Sequence, residues 1–197
     1  EFPRSVLESL RQPMEDGVVS IVRVAAHVSY PASFTLLAAV NPCPCGYLGH
    51  PRRACKCSEK QVRKYRSRLS GPILDRIDLH VTVPSVETEK LGVEGESKMN
   101  SNVIRGLVVK VRKIQEKRFA KDGIFTNSQM RNKHVKIYCR LDGETLRILK
   151  RAVEAYDLSA RGYFRLIKVA RTIADLAGAP DIAVSHMAEA LQYRSTI

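Results

Sequence analysis

Four cysteines within fifteen residues are the clearest chemical signal in the sequence. They form two Cys-x-Cys pairs, Cys43 with Cys45 and Cys55 with Cys57, separated by nine residues. Thiolates are favoured ligands of Zn²⁺, which takes four ligands at tetrahedral angles in structural sites. The pattern therefore predicts a structural zinc site, because four cysteines leave no coordination position open for catalysis.

Other interpretations of these cysteines remain open. Their spacing is tighter than the usual Cys-x-x-Cys, and His50 in the intervening loop offers a nitrogen that could replace one thiolate. Disulfides would use the same residues, although nothing in the sequence marks the chain for an oxidising compartment. The four cysteines could also form neither a zinc site nor disulfides. The fifth cysteine, Cys139, stands alone, as is typical of a small buried hydrophobic side chain.

Three polar residues are candidates for contacts with a phosphate. Asn41 follows the apolar run 34–40, and ligands of open α/β sheets lie beyond the carboxyl ends of the strands. Arg76 lies between acidic residues, and its planar guanidinium suits a phosphate. Arg161 falls in the first turn of a predicted helix, where the helix dipole disfavours positive charge. Each residue also has a simpler interpretation: Asn41 only ends a strand, Arg76 forms a surface ion pair and Arg161 is solvated.

Basic charge is concentrated in two stretches. The 197 residues include 33 Lys and Arg against 20 Asp and Glu, a formal net charge of +13. Residues 52–68 contain eight basic residues and one acid, and residues 105–121 contain seven and one. One such run is typical of a solvated face, but two favour a polyanionic partner, either nucleic acid or the phosphates of a nucleotide.

The overall composition excludes several classes of protein. Apolar residues make up 44% of the chain and aromatic residues 6%, which is typical of a globular domain rather than a disordered or fibrous one. No apolar run approaches the roughly 20 residues that span a bilayer. With no membrane span and no export segment in the sequence, we expect a cytoplasmic protein without a membrane partner.

The apolar periodicity predicts an α/β segment at the start of the chain. A helix over residues 3–15 precedes a β-hairpin over residues 18–28, with residues 23–26 at its tip. The run 34–40, apolar on both faces, is typical of a central strand in a parallel sheet, and residues 78–83 are predicted as a second strand. A basic helix over 58–69, with Ser58 as its N-cap, lies between them.

Beyond this segment the sequence predicts only helices. Residues 85–100 are polar and aperiodic, as in an interdomain linker. Apolar residues at helical spacing begin at residue 102 and continue over 141–156, 159–176 and 184–193, with Ser185 predicted as the last N-cap. We therefore expect an α/β domain over residues 1–88, a linker over 89–101 and a helical domain over 102–197.

Four stretches of sequence, which occur in a fixed order along the chain, carry a family resemblance that covers essentially the whole chain. In chain order they are residues 16–23, 30–47, 65–78 and 159–176. Together they resemble the magnesium-chelatase-like AAA+ ATPases, in their bacterial competence-type branch. The resemblance implies a partial AAA+ core, with parallel strands and an inserted β-hairpin, followed by an all-α lid domain.

The resemblance also implies a role for each candidate phosphate contact. Asn41 corresponds to sensor 1, which orients the attacking water against the γ-phosphate of ATP. Arg76 corresponds to the arginine finger, which reaches the nucleotide of a neighbouring subunit. Arg161 corresponds to sensor 2, with Arg165 as the alternative. The hairpin matches the pre-sensor-1 insertion, and Arg23 takes the place of a DNA-contacting residue that faces the pore of related ring helicases.

The resemblance implies ATP, Mg²⁺ and DNA as ligands and a hexameric ring as the assembly. The sequence contains no Gly-x-x-x-x-Gly-Lys-[Ser/Thr] motif, the loop that cradles phosphates in such enzymes. We expect that loop and the acidic Walker B run to lie upstream of Glu1. The chain is then the second part of an ATPase core with its lid, and we expect no ATP hydrolysis by this part alone.

Two other functions remain open. A true magnesium chelatase subunit, which inserts Mg²⁺ into a porphyrin, would share the same sensor residues, although the cysteines and the basic runs favour the DNA-handling branch. A zinc-containing nucleic-acid-binding module would have the cysteines and the charge without a motor role. Stimulation of ATPase activity by porphyrin identifies the first, and ATPase activity untouched by mutation of Arg76 counts against the motor role of that residue.

Overall fold

The computed structural model describes residues 2–24, 26–84 and 100–194. The chain divides into two compact units, Glu1–Ile77 and Asp78–Ile197. Most of the predicted interdomain linker, residues 89–99, lies outside the described residues. In the ranges that are described, no helix combines the length and the apolar content needed to cross a membrane.

Two short helices, α1 (Arg4–Ser9) and α2 (Arg11–Asp16), open the first unit where a helix is predicted. Gly17 ends α2 in the left-handed conformation, with φ of 65°. Glycine adopts this conformation without the steric cost of a Cβ atom. The turn directs the chain into the hairpin, whose base is closed by a 2.7 Å hydrogen bond from Ala32 N to Gly17 O.

The predicted β-hairpin is confirmed. Strand β1 (Val18–Arg23) pairs antiparallel with β2 (Ala26–Pro31), and Arg23 lies opposite Ala26 at the tip. Nearly every side chain of both strands is exposed. The hairpin therefore projects Arg23 into solvent at the end of β1.

The predicted parallel sheet is not found in the described residues. The runs 34–40 and 78–83 form no β-ladder, and the sheet that the structure describes is the two-stranded hairpin. Leu37 is 94% exposed, far from the burial of a central strand. A strand forms only where a neighbour supplies partners for its backbone N–H and C=O groups along its length. In the described residues, run 78–83 has a single such contact, from His80 N to Tyr193 O at 2.8 Å, and neither run has a neighbouring strand. The α/β prediction thus holds as a hairpin beside helices, without the parallel AAA+ core.

The basic helix is confirmed as α3 (Glu59–Arg66), and α4 (Gly71–Leu74) follows it. Ser58 Oγ accepts a hydrogen bond from Gln61 N, and Ser58 N donates to Gln61 Oε1 at 2.8 Å. This capping box satisfies N–H groups that the start of a helix leaves without partners. Ser58 is therefore the N-cap that the sequence predicts.

The second unit is helical, as predicted. It contains α5 (Ser101–Arg118), a 3₁₀ turn (Asn127–Gln129), α6 (Asn132–Tyr138), α7 (Gly143–Ala155), α8 (Ala160–Leu176) and α9 (Val184–Gln192). Helix α9 packs against both α7 and α8. The buried core between the helices includes Leu149, Leu166, Ala170, Ala174 and Met187.

Two details of this unit differ from the sequence predictions. The N-cap of α9 is Ala183, and Ser185 lies inside the first turn of the helix. Helix α6 was not predicted, because its seven residues contain too few apolar positions to show a helical period. Its buried residues, His134 and Val135, are adjacent in sequence rather than spaced by three or four.

Candidate metal centre and nucleotide-contact residues

The four clustered cysteines meet at one point of the first unit. Their Sγ atoms all lie within 4.8 Å of one another. Cys43 Sγ is 3.4 Å from Cys45 Sγ and 3.6 Å from Cys55 Sγ. A disulfide holds its two sulfurs about 2.05 Å apart, so these cysteines are free thiols, as is Cys57. The structure therefore contradicts the disulfide interpretation.

The separations fit four thiolates around one ion. Zinc–sulfur bonds of about 2.3 Å at tetrahedral angles place the sulfurs about 3.8 Å apart. Cys43 is fully buried and the other three cysteines are partly buried, so the cluster lies under the surface of the loop. Among the residues that the structure describes, this is the one group of His, Cys, Asp or Glu side chains close enough to hold a metal.

Backbone turns of the loop bring the two Cys-x-Cys pairs together. Gly46, with φ of 79°, closes a turn through a 3.0 Å hydrogen bond from its N–H to Cys43 O. In the second pair, the N–H of Cys57 donates to Cys55 Sγ at 3.4 Å. The residue after Cys57 is Ser58, the N-cap of α3. The second pair is therefore attached directly to a helix.

The thiols of the cluster differ in acidity. Hydrogen bonds from the backbone N–H groups of Tyr47 and Lys56 lower the pKa of Cys45 to about 6. The N–H of Cys57 favours the thiolate of Cys55, but burial and the neighbouring thiols outweigh it and raise the pKa of Cys55 to about 12. Binding of a divalent cation as a tetrathiolate accordingly releases protons.

His50 lies outside the cysteine cluster. Its Nδ1 accepts hydrogen bonds from the N–H groups of Arg52 and Arg53, both at 3.1 Å. Its ring meets the ring of Tyr47 edge-on, with 5.7 Å between centroids. His50 therefore shapes the loop between the cysteine pairs and does not join them as a ligand.

Arg76 is packed against its own unit. Its Nε lies 3.3 Å from Glu15 Oε2 and donates to Arg11 O at 3.1 Å. Its Nη1 donates to Pro72 O at 2.7 Å. The side chain is 11% exposed. The guanidinium is thus fixed by contacts with α2 and with the start of α4.

The other predicted nucleotide contacts are divided between the two units. Asn41 is an exposed residue of the first unit, two positions before Cys43. Arg161 lies in the first turn of α8, where Ser159 Oγ accepts a 3.1 Å hydrogen bond from Gly162 N. Arg165 follows one turn later, and its Nη1 is 2.7 Å from Asp78 Oδ1.

A buried charged network in the second unit was missed at the sequence level. Asp175 is buried and accepts hydrogen bonds from Arg118 Nη1 at 2.8 Å, Arg171 Nε at 3.1 Å and Asn127 Nδ2 at 2.8 Å. Arg171 also donates to two carbonyls of the turn after α8, both at 2.7 Å. The spacing of Arg171 and Asp175, four residues apart in an apolar helix, is the signal that could have located it.

Two family models match the chain in succession. The model described as magnesium chelatase, subunit ChlI, matches residues 1–91. The model described as magnesium chelatase, subunit ChlI C-terminal, matches residues 98–194. Between them they cover both structural units.

Curated relatives align with the whole chain. Competence protein ComM of Haemophilus influenzae is 42% identical over 198 residues, which cover 100% of this chain and 38% of that relative. The YifB proteins of Escherichia coli and Salmonella typhimurium are 38% and 36% identical over 99% of this chain and 37% of their own length. The chain thus spans little more than a third of these relatives. Both family models and these relatives agree, and the chain belongs to the magnesium-chelatase-like AAA+ family, in the branch that contains ComM and YifB.

Proposed function

We propose that the chain is part of a longer AAA+ ATPase that couples ATP hydrolysis to remodelling of DNA, as in branch migration or helicase action. The observation that carries this proposal is the 42% identity, over the whole chain, with a relative named competence protein. The net charge of +13 supports a nucleic acid as the partner. The core, linker and lid boundaries expected from the sequence are part of the same proposal.

We assign the binding of ATP and Mg²⁺ to the longer protein. The sequence has no Gly-x-x-x-x-Gly-Lys-[Ser/Thr] loop, so its residues do not fit a complete nucleotide site. The chain would supply Asn41 as sensor 1, Arg161 as sensor 2 and Arg76 as the arginine finger of a hexameric ring. The role of Arg76 rests on its place in the family resemblance, and its guanidinium is held in position by Glu15 and two backbone carbonyls.

The cysteine cluster is proposed to bind one structural Zn²⁺. Four free thiols with separations close to those of a tetrathiolate site support this proposal. A bound zinc would supply folding energy to the loop, since the thiols otherwise have only weak mutual contacts. The same four ligands would leave no position for a substrate.

Mixed rings of the full-length protein test the assignment of Arg76 and Asn41. We expect Arg76→Ala and Asn41→Ala each to abolish DNA-stimulated ATPase activity while leaving nucleotide binding intact. Because the arginine finger serves a neighbouring subunit, mixing the two inactive variants should restore part of the activity. A matched control is Arg151→Ala, which removes an exposed arginine of α7. Full activity of the Arg76 variant, or no recovery on mixing, contradicts the assignment.

The name of the family models favours a second candidate, a chelatase subunit that serves porphyrin metallation. The same ATPase assay separates the candidates when DNA and a porphyrin are added in parallel. Stimulation by porphyrin alone identifies a chelatase. DNA binding by a full-length protein without ATPase activity identifies a nucleic-acid-binding module without a motor.

A further inference from the structure

We propose that the cysteine loop and α3 form a single surface that binds the phosphate backbone of a nucleic acid, and that metal binding at the cysteines maintains it. This proposal rests on the DNA-handling role proposed above but can be tested on this chain without ATPase activity. The basic surface, as we define it, consists of Arg52, Arg53, Lys56, Lys60, Arg63, Lys64, Arg66 and Arg68.

The charge of the basic surface is open to solvent. All eight of its cations are exposed. Glu59 is the single acid between residues 52 and 68, and it pairs with Arg63 at 3.8 Å. Both side chains of that pair are more than three-quarters exposed, at 78% and 92%. Exposed pairs of this kind are weak, so the surface keeps a strongly positive potential.

Loop and helix belong to one local structure. Arg52 and Arg53 lie between the two cysteine pairs and Lys56 lies within the second pair, whose last residue, Cys57, precedes the N-cap of α3. Helix α3 turns the partly buried side chains of Val62 and Tyr65 inward, which leaves Lys60 and Lys64 outside. At the far end of the helix, Arg66 Nε donates to Pro42 O at 3.4 Å and ties α3 to the residue before Cys43.

Two arginines of the surface are ordered by aromatic rings. Arg53 Nη1 donates to Tyr47 Oη at 2.8 Å, and its guanidinium lies 5.3 Å from the centroid of that ring. The guanidinium of Arg68 lies 5.7 Å from the centroid of the Tyr65 ring. An arginine already ordered in this way loses less conformational entropy when it binds a phosphate. Positioned guanidinium groups, rather than a diffuse lysine-rich face, favour phosphate as the ligand.

Dependence on metal follows from where the loop is anchored. The chain from Gly46 to Ala54 carries Arg52 and Arg53, and its two ends are held together at the cysteine cluster. Helix α3 has its own capping box and does not need the cluster to begin. Loss of the metal should therefore release the loop cations while the helix cations stay in place. Binding would weaken without being abolished.

Anisotropy titrations of the 197-residue chain with a fluorescent 30-base-pair duplex test the surface. We expect Lys56→Glu/Lys60→Glu/Lys64→Glu to weaken binding on the order of 100-fold at low salt. The slope of log K against log salt should fall by about 2 to 3, because each lost phosphate contact removes about 0.9. The matched control, Lys133→Glu/Lys136→Glu/Lys150→Glu, changes exposed lysines of α6 and α7 and keeps the same net charge. Equal losses in the two variants overturn the proposal.

The second basic run is tested in the same titration. Lys110→Glu/Lys113→Glu/Lys117→Glu places the same charge change on α5. If this variant loses more DNA affinity than the α3 variant, the binding surface lies on α5 and the proposal is overturned. Tighter binding to phosphatidylserine vesicles than to DNA, with the same dependence on the α3 lysines, would overturn nucleic acid as the partner.

Metal dependence is tested by comparing zinc-loaded wild-type chain with chelator-treated chain and with Cys43→Ser/Cys45→Ser. We expect both metal-free forms to bind DNA several-fold more weakly, with recovery on adding zinc to the chelated wild type only. Circular dichroism confirms that the helices remain. Equal affinity with and without zinc overturns the metal part of the proposal. ATP hydrolysis by the full-length protein is measured separately. An absence of zinc-dependent DNA binding would therefore not contradict the proposed motor function.

Discussion

Arg76 and Glu15 form an ion pair in the first unit, with 3.3 Å between Arg76 Nε and Glu15 Oε2. Glu15 lies in the last turn of α2, and strand β1 begins three residues later at Val18. The pair therefore connects the base of the hairpin to the arginine proposed to contact a neighbour's nucleotide. Only Asp16 and Gly17 lie between Glu15 and the first residue of β1.

We expect Glu15→Gln to lower the ATPase kcat of the full-length protein and its stimulation by DNA, with little change in the affinity for ATP. The amide keeps the shape of the side chain but loses the charge that holds the guanidinium. A partly exposed ion pair is worth about 1 kcal/mol, which corresponds to a roughly fivefold change in rate. Glu154→Gln, at an exposed position of α7, is the control. An unchanged kcat with and without DNA would show that Glu15 does not position Arg76.

Metal analysis of the purified chain should find one zinc per molecule. The double substitution Cys43→Ser/Cys45→Ser should remove it, because it takes away two of four ligands. Cys139→Ala is the control, since Cys139 is buried in the helical unit and burial raises the pKa of its thiol to about 11. The absence of metal in the wild-type chain, or its loss in the Cys139 variant, would contradict a site at the cysteine cluster.

Asp175→Asn should destabilise the helical unit by about 3 kcal/mol or more, because it leaves Arg171 buried with an uncompensated charge. Burial alone would raise the pKa of Asp175, but hydrogen bonds from Arg118 and Asn127 outweigh it and lower that pKa below its ordinary value. The carboxylate therefore stabilises the fold above the unfolded-state pKa, near pH 4, and this contribution is lost as the pH falls through the folded-state pKa.

Urea unfolding followed by circular dichroism checks both parts of this prediction. The wild-type chain should lose stability in acid more steeply than the Asn variant, which has no carboxyl group to protonate at this position. Asp181→Asn, at an exposed position, serves as the control. Parallel acid profiles for the wild type and the Asp175 variant would rule out the charged network as the source of the pH dependence.

Local signals explain which elements were predictable from the sequence. The turn at Gly17, the cap at Ser58 and the cysteine spacing each act over a few residues, and each is found where the sequence places it. The run 34–40 is different, because a central strand depends on neighbours that the described residues do not contain. The partners of Asp175 include Arg118, 57 residues away in sequence. No periodicity within a single segment reveals a contact over that distance.

The hairpin tip offers a test of the proposed ring that is independent of the basic surface. Arg23 ends β1, and the strands beside it expose nearly all their side chains, so a charge change there should not disturb the fold. If the full-length protein forms the proposed ring, we expect Arg23→Glu to impair its DNA translocation strongly while sparing ATP binding, because the tip would repel phosphates in the proposed pore.

In the 197-residue chain the same change should cost little DNA affinity, since it removes one phosphate contact and alters the salt slope by no more than about 0.9. Arg151→Glu provides the same charge change at an exposed site on α7. A strand-displacement assay on the full-length protein, run beside anisotropy on the chain, measures both effects. Unchanged translocation would contradict the proposed position of Arg23 in the pore. A large loss of DNA affinity in the 197-residue chain would show that the hairpin, rather than α3, is the main nucleic-acid contact.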